Sequence, residues 1–587
     1  AGLARMNMIL HNFPTANIVS GNTLAEPKFK DGEQLRTYDY VVANPPFSDK
    51  TWTTGLTPSH DPFQRFAWGE PPTKQGDYAY LLHIIRSLKS AGKGACILPH
   101  GVLFRGGAEG LIRQQLVRSG ILKCIIGLPA NLFYGTGIPA CIVVLDKENA
   151  AARSGVFMID ASKGFRKDGP KNRLREQDLH KIVDTFTRQA DVPRYARMVP
   201  LTEVADPKND FNLNLPRYID STEAEDLQDI DGHMRGGIPE RDLDALGAYW
   251  QVLPGVRGLL FEAFDKTGSR PGYARLKPAL SEVKPAIFGH AEFTAFQQKA
   301  TQIFADWRKA TTKHLTGFGK DGHPKALIET IAEDLLAAFR KAPLLDAYDI
   351  YQHLMDYWAE TMQDDAYLIA ADGWVAVPAR IIETDKKGKS KDKGWVCDLV
   401  PKPLVVARYF AKEQAELEAR QVELEASIAA LAELEEEYGG EGDGQWLGAL
   451  DKIAKTEVND RLKKAKTEKD AKDEIAVLKR WLDLSEQETT LKRAVKEQDA
   501  ALDALAYAKY PKLAEAEIKT LVVDDKWMAR LSAAVQGELD RVSQTLTGRI
   551  RELAERYAAP LPKLTEEVAT LAERVEEHLA RMGASWK

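Results

Sequence analysis

The first 218 residues alternate short β-branched or apolar runs with amphipathic helical stretches, and no other feature restricts the fold as much. Strands are expected at residues 17–20, 38–43, 94–98, 122–127, 140–145 and 156–160, with helices between them, as at 78–90 and 109–119. Strands that alternate with helices pack as a mostly parallel sheet with helices on its faces, so the fold class is α/β. The remainder reads differently. Residues 219–372 are largely helical, with apolar residues three and four apart in 324–341 and 346–364. Two strand-like segments, 373–384 and 394–399, flank a lysine-rich tip, KKGKSKDK at 386–393, which reads as a solvated hairpin end or a phosphate contact.

Beyond residue 400 the helices carry a seven-residue repeat. Leu417, Leu424 and Leu431 recur at that interval, and Leu484, Leu491, Val495, Leu502 and Leu505 follow compatible steps. This predicts coiled-coil-like packing of two helices around the flexible break YGGEGDG at 438–444. A last helix is expected from Thr565 as N-cap, with Val568, Leu571, Val575, Leu579 and Met582 as its apolar stripe. A chain of 587 residues exceeds what one core supports. Three regions are expected: 1–218, 219–400 and 401–587.

Composition excludes some classes. No apolar run reaches the length of a membrane span, and the first residues do not have the layout of a secretory signal. The four cysteines (Cys96, Cys124, Cys141, Cys397) form no C-x-x-C pair and read as buried thiols of a cytoplasmic protein rather than a metal site. A net charge of −6 argues against a chain that coats nucleic acid unaided, while leaving room for a local basic groove or a basic partner.

The residues with chemistry to offer are in DYVVANPPF, 39–47. An apolar strand runs straight into Asn44, Pro45, Pro46 and Phe47. The prolines fix φ and stiffen the turn at the strand's C-terminal end, where open α/β sheets bind ligands. The Asn44 side-chain carbonyl and the Pro45 backbone carbonyl can both accept hydrogen bonds from one exocyclic amine, and Phe47 offers a face for a base to stack on. Adenine N6 is a poor nucleophile because its lone pair is delocalised. Two acceptors would favour a more tetrahedral nitrogen aimed at a methyl donor, by orientation and electrostatics. A base inside a duplex must flip out to reach such a turn.

Around this turn lie NIVSGNTL (17–24), GDYAYLLH (76–83), ILPHGVLFRGGAEGLIR (97–113) and IGLPANLFYGTGIPACIVVL (126–145). In this order they resemble the gamma-order adenine-N6 methyltransferases, and more closely the modification subunits of type I restriction-modification systems. LARMNMILH, FNLNLPRYID and the terminal HLARMG are similar to that family too, and the likeness is patchier over 230–587. The resemblance implies a Rossmann-like methyltransferase sheet, incomplete here and running from the third strand to the seventh. It implies catalysis by Asn44, Pro45, Pro46 and Phe47. Asn22 and Thr23, with Asn44, would contact S-adenosylmethionine, although many relatives carry Asp at the position of Asn22. Phe133 or Tyr134, with Phe47, would stand beside the flipped adenine, or serve as loop packing. It further implies double-stranded DNA, a specificity subunit, a second modification subunit and a restriction subunit as partners, in a bacterial or archaeal cytoplasm.

The family's glycine-rich donor loop does not precede Ala1. The glycines of FYGTGIP (133–139) lead into a strand rather than opening a helix, and RGGAEG (105–110) matches a later motif, so neither replaces that loop. The family order places two absent strands between 17–20 and 38–43, which would leave a gap of roughly 14 Å. The expectation is that these residues alone do not bind S-adenosylmethionine tightly; a micromolar isotherm would refute it. Three other readings stand beside the subunit: a non-catalytic scaffold of the same fold, a stand-alone adenine-N6 DNA methyltransferase, and, more distantly, an RNA or protein-glutamine methyltransferase.

Overall fold

The computed structural model describes residues 2–222, 226–265, 270–384, 390–442, 444–468 and 471–583. The chain divides into two units, Ala1–Gly236 with Ala559–Lys587, and Gly237–Ala558.

The first unit is built on a six-stranded sheet. Its strands are β1 (Tyr38–Ala43), β2 (Leu88–Pro99), β3 (Leu122–Gly127), β4 (Ala140–Asp146), β5 (Gly155–Asp160) and β6 (Ala196–Pro200), in the spatial order β6-β5-β3-β4-β2-β1. The sheet is mixed rather than mostly parallel. Only β1–β2 and β3–β5 are parallel, because β4 inserts antiparallel between β2 and β3 and β6 pairs antiparallel with β5. Along β3 and β5 alternate residues enter opposite cores: Ile125, Val156 and Met158 on one face, and Cys124, Ile126, Phe157 and Ile159 on the other. A strand buried on both faces has to be apolar throughout. Helices α2 (Asp77–Arg86) and α3 (Ala108–Arg118) supply the first core, and α4 (Glu176–Arg188) supplies Ile182 to the second; α1 (Gly2–Leu10) is exposed along its length.

Three expectations need correction here. Residues 17–20 are not a strand, so no gap lies between them and β1; among the described residues β1 stands at the edge of the sheet, paired with β2, with Tyr40 and Val42 exposed. The helix expected over 78–90 stops at Arg86, and β2 starts at Leu88. The register slips there from Tyr38↔Leu88 to Tyr40↔Lys93. At Gly92 an added Cβ would sit 2.9 Å from the Lys89 amide nitrogen and from the Tyr38 carbonyl oxygen, so the bulge needs a residue without a side chain. The last helix starts at Leu561, not after Thr565, whose hydroxyl donates to the Leu561 carbonyl inside the helix. Pro562 in its first turn has no amide to leave unpaired.

The second unit is helical around one apolar core. Helices Leu280–Phe288, Ala291–Gly317, Pro324–Phe339, Ala347–Tyr357 and Ala529–Arg556 line it, so residues on both sides of position 401 share one core instead of forming separate regions. The heptad-bearing helices Ala411–Tyr438 and Lys472–Lys509 lie side by side and antiparallel. Leu417 meets Leu502 and Ala506, while Leu434 meets Leu478 and Trp481. The hairpin expected around 373–399 pairs Ala379–Thr384 with Ser390–Val396; its tip residues 385–389, which hold half of the lysine-rich stretch, lie outside the described residues. Among the described residues no helix is long and apolar enough to cross a membrane, and all four cysteines are buried and free.

Candidate active site

Strands β1, β2, β3 and β5 run in one direction, so their C-terminal ends share one edge of the sheet. Four segments leave from that edge: the Asn-Pro-Pro-Phe turn after β1, His100 after β2, the loop 128–139 after β3, and Asp160 at the end of β5.

In the turn, Asn44 and Pro46 are exposed, Pro45 is buried and Phe47 is half-buried. Ser48, which follows, has φ +50 and donates its amide to Asp77 Oδ1 at 2.7 Å. Asp77 is fully buried in the first turn of α2, where the helix dipole favours a carboxylate. Its other oxygen accepts from Arg105 Nη1 at 3.0 Å, and Arg105 also bridges Glu109 at 3.1 Å. Burial raises the Glu109 carboxyl above its ordinary value, and the Arg105 guanidinium works against that rise. The far side of the turn is fixed by Asp49, which accepts from Thr51 and from Tyr80 at 2.9 Å, and by the Gly76 amide on the Asp49 carbonyl. Gly76 packs so closely that an added Cβ would lie 2.8 Å from Trp52 Cβ. Asp77, Tyr80 and Gly76, which hold the turn and its flank together with the local Asp49, are distant from it in sequence.

The loop 128–139 reaches over the same edge. Phe133 sets its ring at 73° to Phe47, with centroids 5.6 Å apart, in the range of a favourable edge-to-face pair. Tyr134, next to it, is 95% exposed. A small hairpin, Arg166–Asp168 paired with Lys171–Arg173, clamps the loop from outside. Lys171 Nζ donates to the Phe133 and Thr136 carbonyls at 2.8 and 2.9 Å, and Asn172 donates to the Ala130 and Asn131 carbonyls. His100 Nε2 is buried without a hydrogen-bond partner. Burial lowers the affinity of its ring for a proton, and the neighbouring Asp160 partly restores it.

Asn22 and Thr23 lie on an exposed turn. The Asn22 side-chain oxygen accepts from the Leu24 and Ala25 amides at 2.9 and 3.0 Å, closing that turn on itself. Leu24 is buried, and its carbonyl accepts from Arg65, which pairs with Asp61 and contacts His83. Among the described residues no hydrogen bond or ring contact joins Asn22 or Thr23 to the turn at 44–47. The structure thus brings Phe47 and Phe133 together and leaves Tyr134, Asn22 and Thr23 apart from them.

These residues do not complete a cradle for a methyl donor. The glycines at 135 and 137 lead into β4, as the sequence indicates. The only described glycine-rich turn that opens a helix on this edge, Gly106–Gly107 before α3, has its first helical turn filled by Glu109 and Arg105. The Asn22 oxygen, too, is committed to its own turn.

Asp77, Arg105, Lys171, Asn172 and His100 carry no role in the sequence reading. For Asp77 a signal existed, since Gly-Asp at a helix start is a good place for a carboxylate. The others act through contacts distant in sequence, and periodicity does not report those.

Residues 1–227 match the family model described as N-6 DNA Methylase. The MjaVII methylase subunit of a type I restriction enzyme from Methanocaldococcus jannaschii is 33% identical over 241 residues, covering 39% of this chain and 40% of that protein. The MpnII methylase subunit from Mycoplasma pneumoniae is 32% identical, over 39% of this chain and 43% of its own length. The EcoKI methylase subunit from Escherichia coli is 32% identical, over 44% and 54%. The chain therefore spans about half the length of these relatives or less. A solved methyltransferase subunit of a type I restriction-modification system from Streptococcus thermophilus is 38% identical over 38% of this chain and 46% of its own, with a TM-score of 0.34.

Proposed function

We propose that this chain carries the base-binding part of a DNA adenine-N6 methyltransferase, acting as the modification subunit of a type I restriction-modification complex. The observation that carries the reading is the stiff Asn-Pro-Pro-Phe turn at the open end of β1, with the Phe133 ring 5.6 Å from Phe47. An adenine flipped from the duplex would stack on Phe47, with the Phe133 loop beside it. Asn44 Oδ1 and the Pro45 carbonyl would accept the two N6 hydrogens. The lone pair is then drawn out of the ring and aimed away from the turn, and no side chain of unusual proton affinity is required. The gain is one of orientation and fixed dipoles, so the rigidity supplied by Asp77, Arg105 and Asp49 matters directly. S-adenosylmethionine is the methyl donor that the family likeness supports.

The relatives are subunits, and this chain is acidic overall, which supports a separate specificity subunit that reads the DNA sequence, together with a second modification subunit and a restriction subunit. The helix Leu561–Arg581 supports docking by helices: Val568, Leu571 and Val575 are 64%, 57% and 56% exposed on one stripe.

The test is methyl incorporation into duplex DNA by the assembled complex. Asn44→Ala is expected to lower kcat by about 10²–10³, the scale for losing one positioned transition-state partner. Phe47→Ala is expected to weaken catalysis with little change in Tm, because its ring is half-exposed. Methylation that survives Asn44→Ala, or a large Tm loss with full activity in Phe47→Ala, would remove the turn from the mechanism.

A further inference from the structure

The two aromatic rings of the site are held by different means. Phe47 follows a turn whose flanks are anchored by Asp77 and Asp49. Phe133 stands on a loop pinned mainly at its ends, by the Leu128 amide on the Ala140 carbonyl at 2.9 Å and the Asn131 amide on the Gly137 carbonyl at 3.3 Å. Burial does little for the apex of that loop. Tyr134 and Gly135 are exposed, and Leu132, Phe133 and Thr136 are only half-buried. The apex is instead held from outside by two consecutive residues of the small hairpin, Lys171 and Asn172.

Their contacts are aimed at the ring-bearing residue. Lys171 Nζ donates to the carbonyls of Phe133 and Thr136, so it closes the turn around Tyr134 and Gly135, where φ reaches +80. One of those carbonyls belongs to Phe133 itself, and a hydrogen bond from an ammonium is stronger than one between neutral groups. Asn172 is 6% exposed and gives Nδ2 to the Ala130 carbonyl at 2.7 Å, while its Oδ1 is buried without a partner. An orphaned buried acceptor is costly. An apolar side chain would avoid that cost, so what Asn172 offers here is its donor end. Its backbone amide adds a bond to the Asn131 carbonyl at 3.0 Å.

We propose that Lys171 and Asn172 are positioning residues for the extruded adenine, and that they preset the Phe133 ring against Phe47 before the base arrives. The inference rests on the adenine-methyltransferase reading and adds to it what holds the second wall of the base site. A base leaving the duplex then meets a formed edge instead of a loop that must order around it, and the ordering entropy is removed from the reaction. The role acts on transfer from the bound duplex and not on capture of the duplex, because the Lys171 ammonium is committed to loop carbonyls.

The assembled complex is assayed for methyl transfer in a single turnover, beside its Kd for the same duplex. Lys171→Met should slow transfer by about ten- to hundredfold, the scale for a misplaced reacting group, with Kd unchanged. Lys171→Arg, which keeps a cation able to bridge the two carbonyls, should recover most of the rate. Asn172→Ala leaves the backbone bond to Asn131 and should give a smaller fall; it also carries the test if Lys171→Met does not fold. In a Phe133→Ala background, Lys171→Met should cost little more, because its route to the base runs through that ring. Full additivity of the two overturns the proposal, and so does an unchanged rate. Weaker duplex binding with an unchanged rate from the bound state would make Lys171 a DNA contact and overturn it too. Activity that follows the folded fraction alone would reduce both residues to structural ones. A wild-type complex that transfers no methyl group to adenine, or one whose transfer survives Asn44→Ala, would sink the parent reading instead.

Discussion

The two units place their buried polar groups differently. In the first unit buried charges stand behind loops. Asp77 is tied to Arg105 and to the Ser48 amide, Arg65 to Asp61 and the Leu24 carbonyl, and Arg113 to the Phe211, Val102 and Arg105 carbonyls. In the second unit helices meet through apolar stripes. A buried pair there, Lys526 with Asp365 at 2.8 Å, ties one helical turn to another and to the Leu399 carbonyl. The reason is geometric. A helix satisfies its own backbone and needs only an apolar face to pack, whereas a loop at a strand end has unsatisfied amides and carbonyls that must find partners. The first unit therefore uses charge-assisted bonds to hold its loops, and the second uses hydrophobic burial to join its helices.

The largest effect expected from this contrast is in the scaffold. Phe339→Ala, at a fully buried ring in the helical core, should cost about 3–5 kcal/mol. Because the chain has two units, the readout is the unfolding transition of the second unit by hydrogen exchange, not one global midpoint. Protection of β3 and β5 amides in the first unit should be unchanged; equal losses in both would abolish the distinction.

A smaller effect, but one aimed at the site, is expected of Asp77→Ala. It leaves Arg105 and the Ser48 amide without a shared acceptor, at about 3 kcal/mol, the low end for breaking a buried pair because Arg105 is 27% exposed. Methyl transfer should fall further than stability does, since the turn at 44–47 loses its anchor. Activity that follows the folded fraction alone would show that the anchor does not aim the turn.

The smallest effect is one of pH. Burial, and then the positive charge of Arg65, lower the His83 imidazole to about 4. A lowered proton affinity in the folded state means that the unfolded chain binds more protons below the ordinary value of 6.5. The contribution is present above 6.5 and is lost as pH falls toward 4. In the second unit Glu517, held by the Ala514 amide and by Lys509, is lowered from 4.5 to about 2, so its contribution is lost only between those values. Acidification should loosen the first unit before the second. His83→Gln keeps an acceptor for Arg65 and should delay the first transition; an unchanged first transition would place its cause elsewhere.

The sequence made much of this legible. Four of the six sheet strands, β1, β3, β4 and β5, stand where their apolar runs begin and end, and for β3 and β5 the reason is that a strand buried on both faces has little freedom of composition; β2 begins at Leu88, well before its expected start. The seven-residue repeat marked the two helices that lie side by side, Ala411–Tyr438 and Lys472–Lys509, but not their antiparallel orientation. The turn at residues 44–47 was legible because two prolines after an apolar strand leave the backbone one course. What the sequence could not supply were relations between distant segments. The antiparallel insertion of β4 depends on which strand finds which neighbour. The burial of Asp77 under the Ser48 amide depends on three-dimensional proximity. Residue type and local spacing were thus determined by the sequence itself. Strand order, the anchors of the turn and the meeting of Phe47 with Phe133 were decided by the tertiary structure, because long-range pairing follows from the total burial of apolar and polar groups and not from any local pattern.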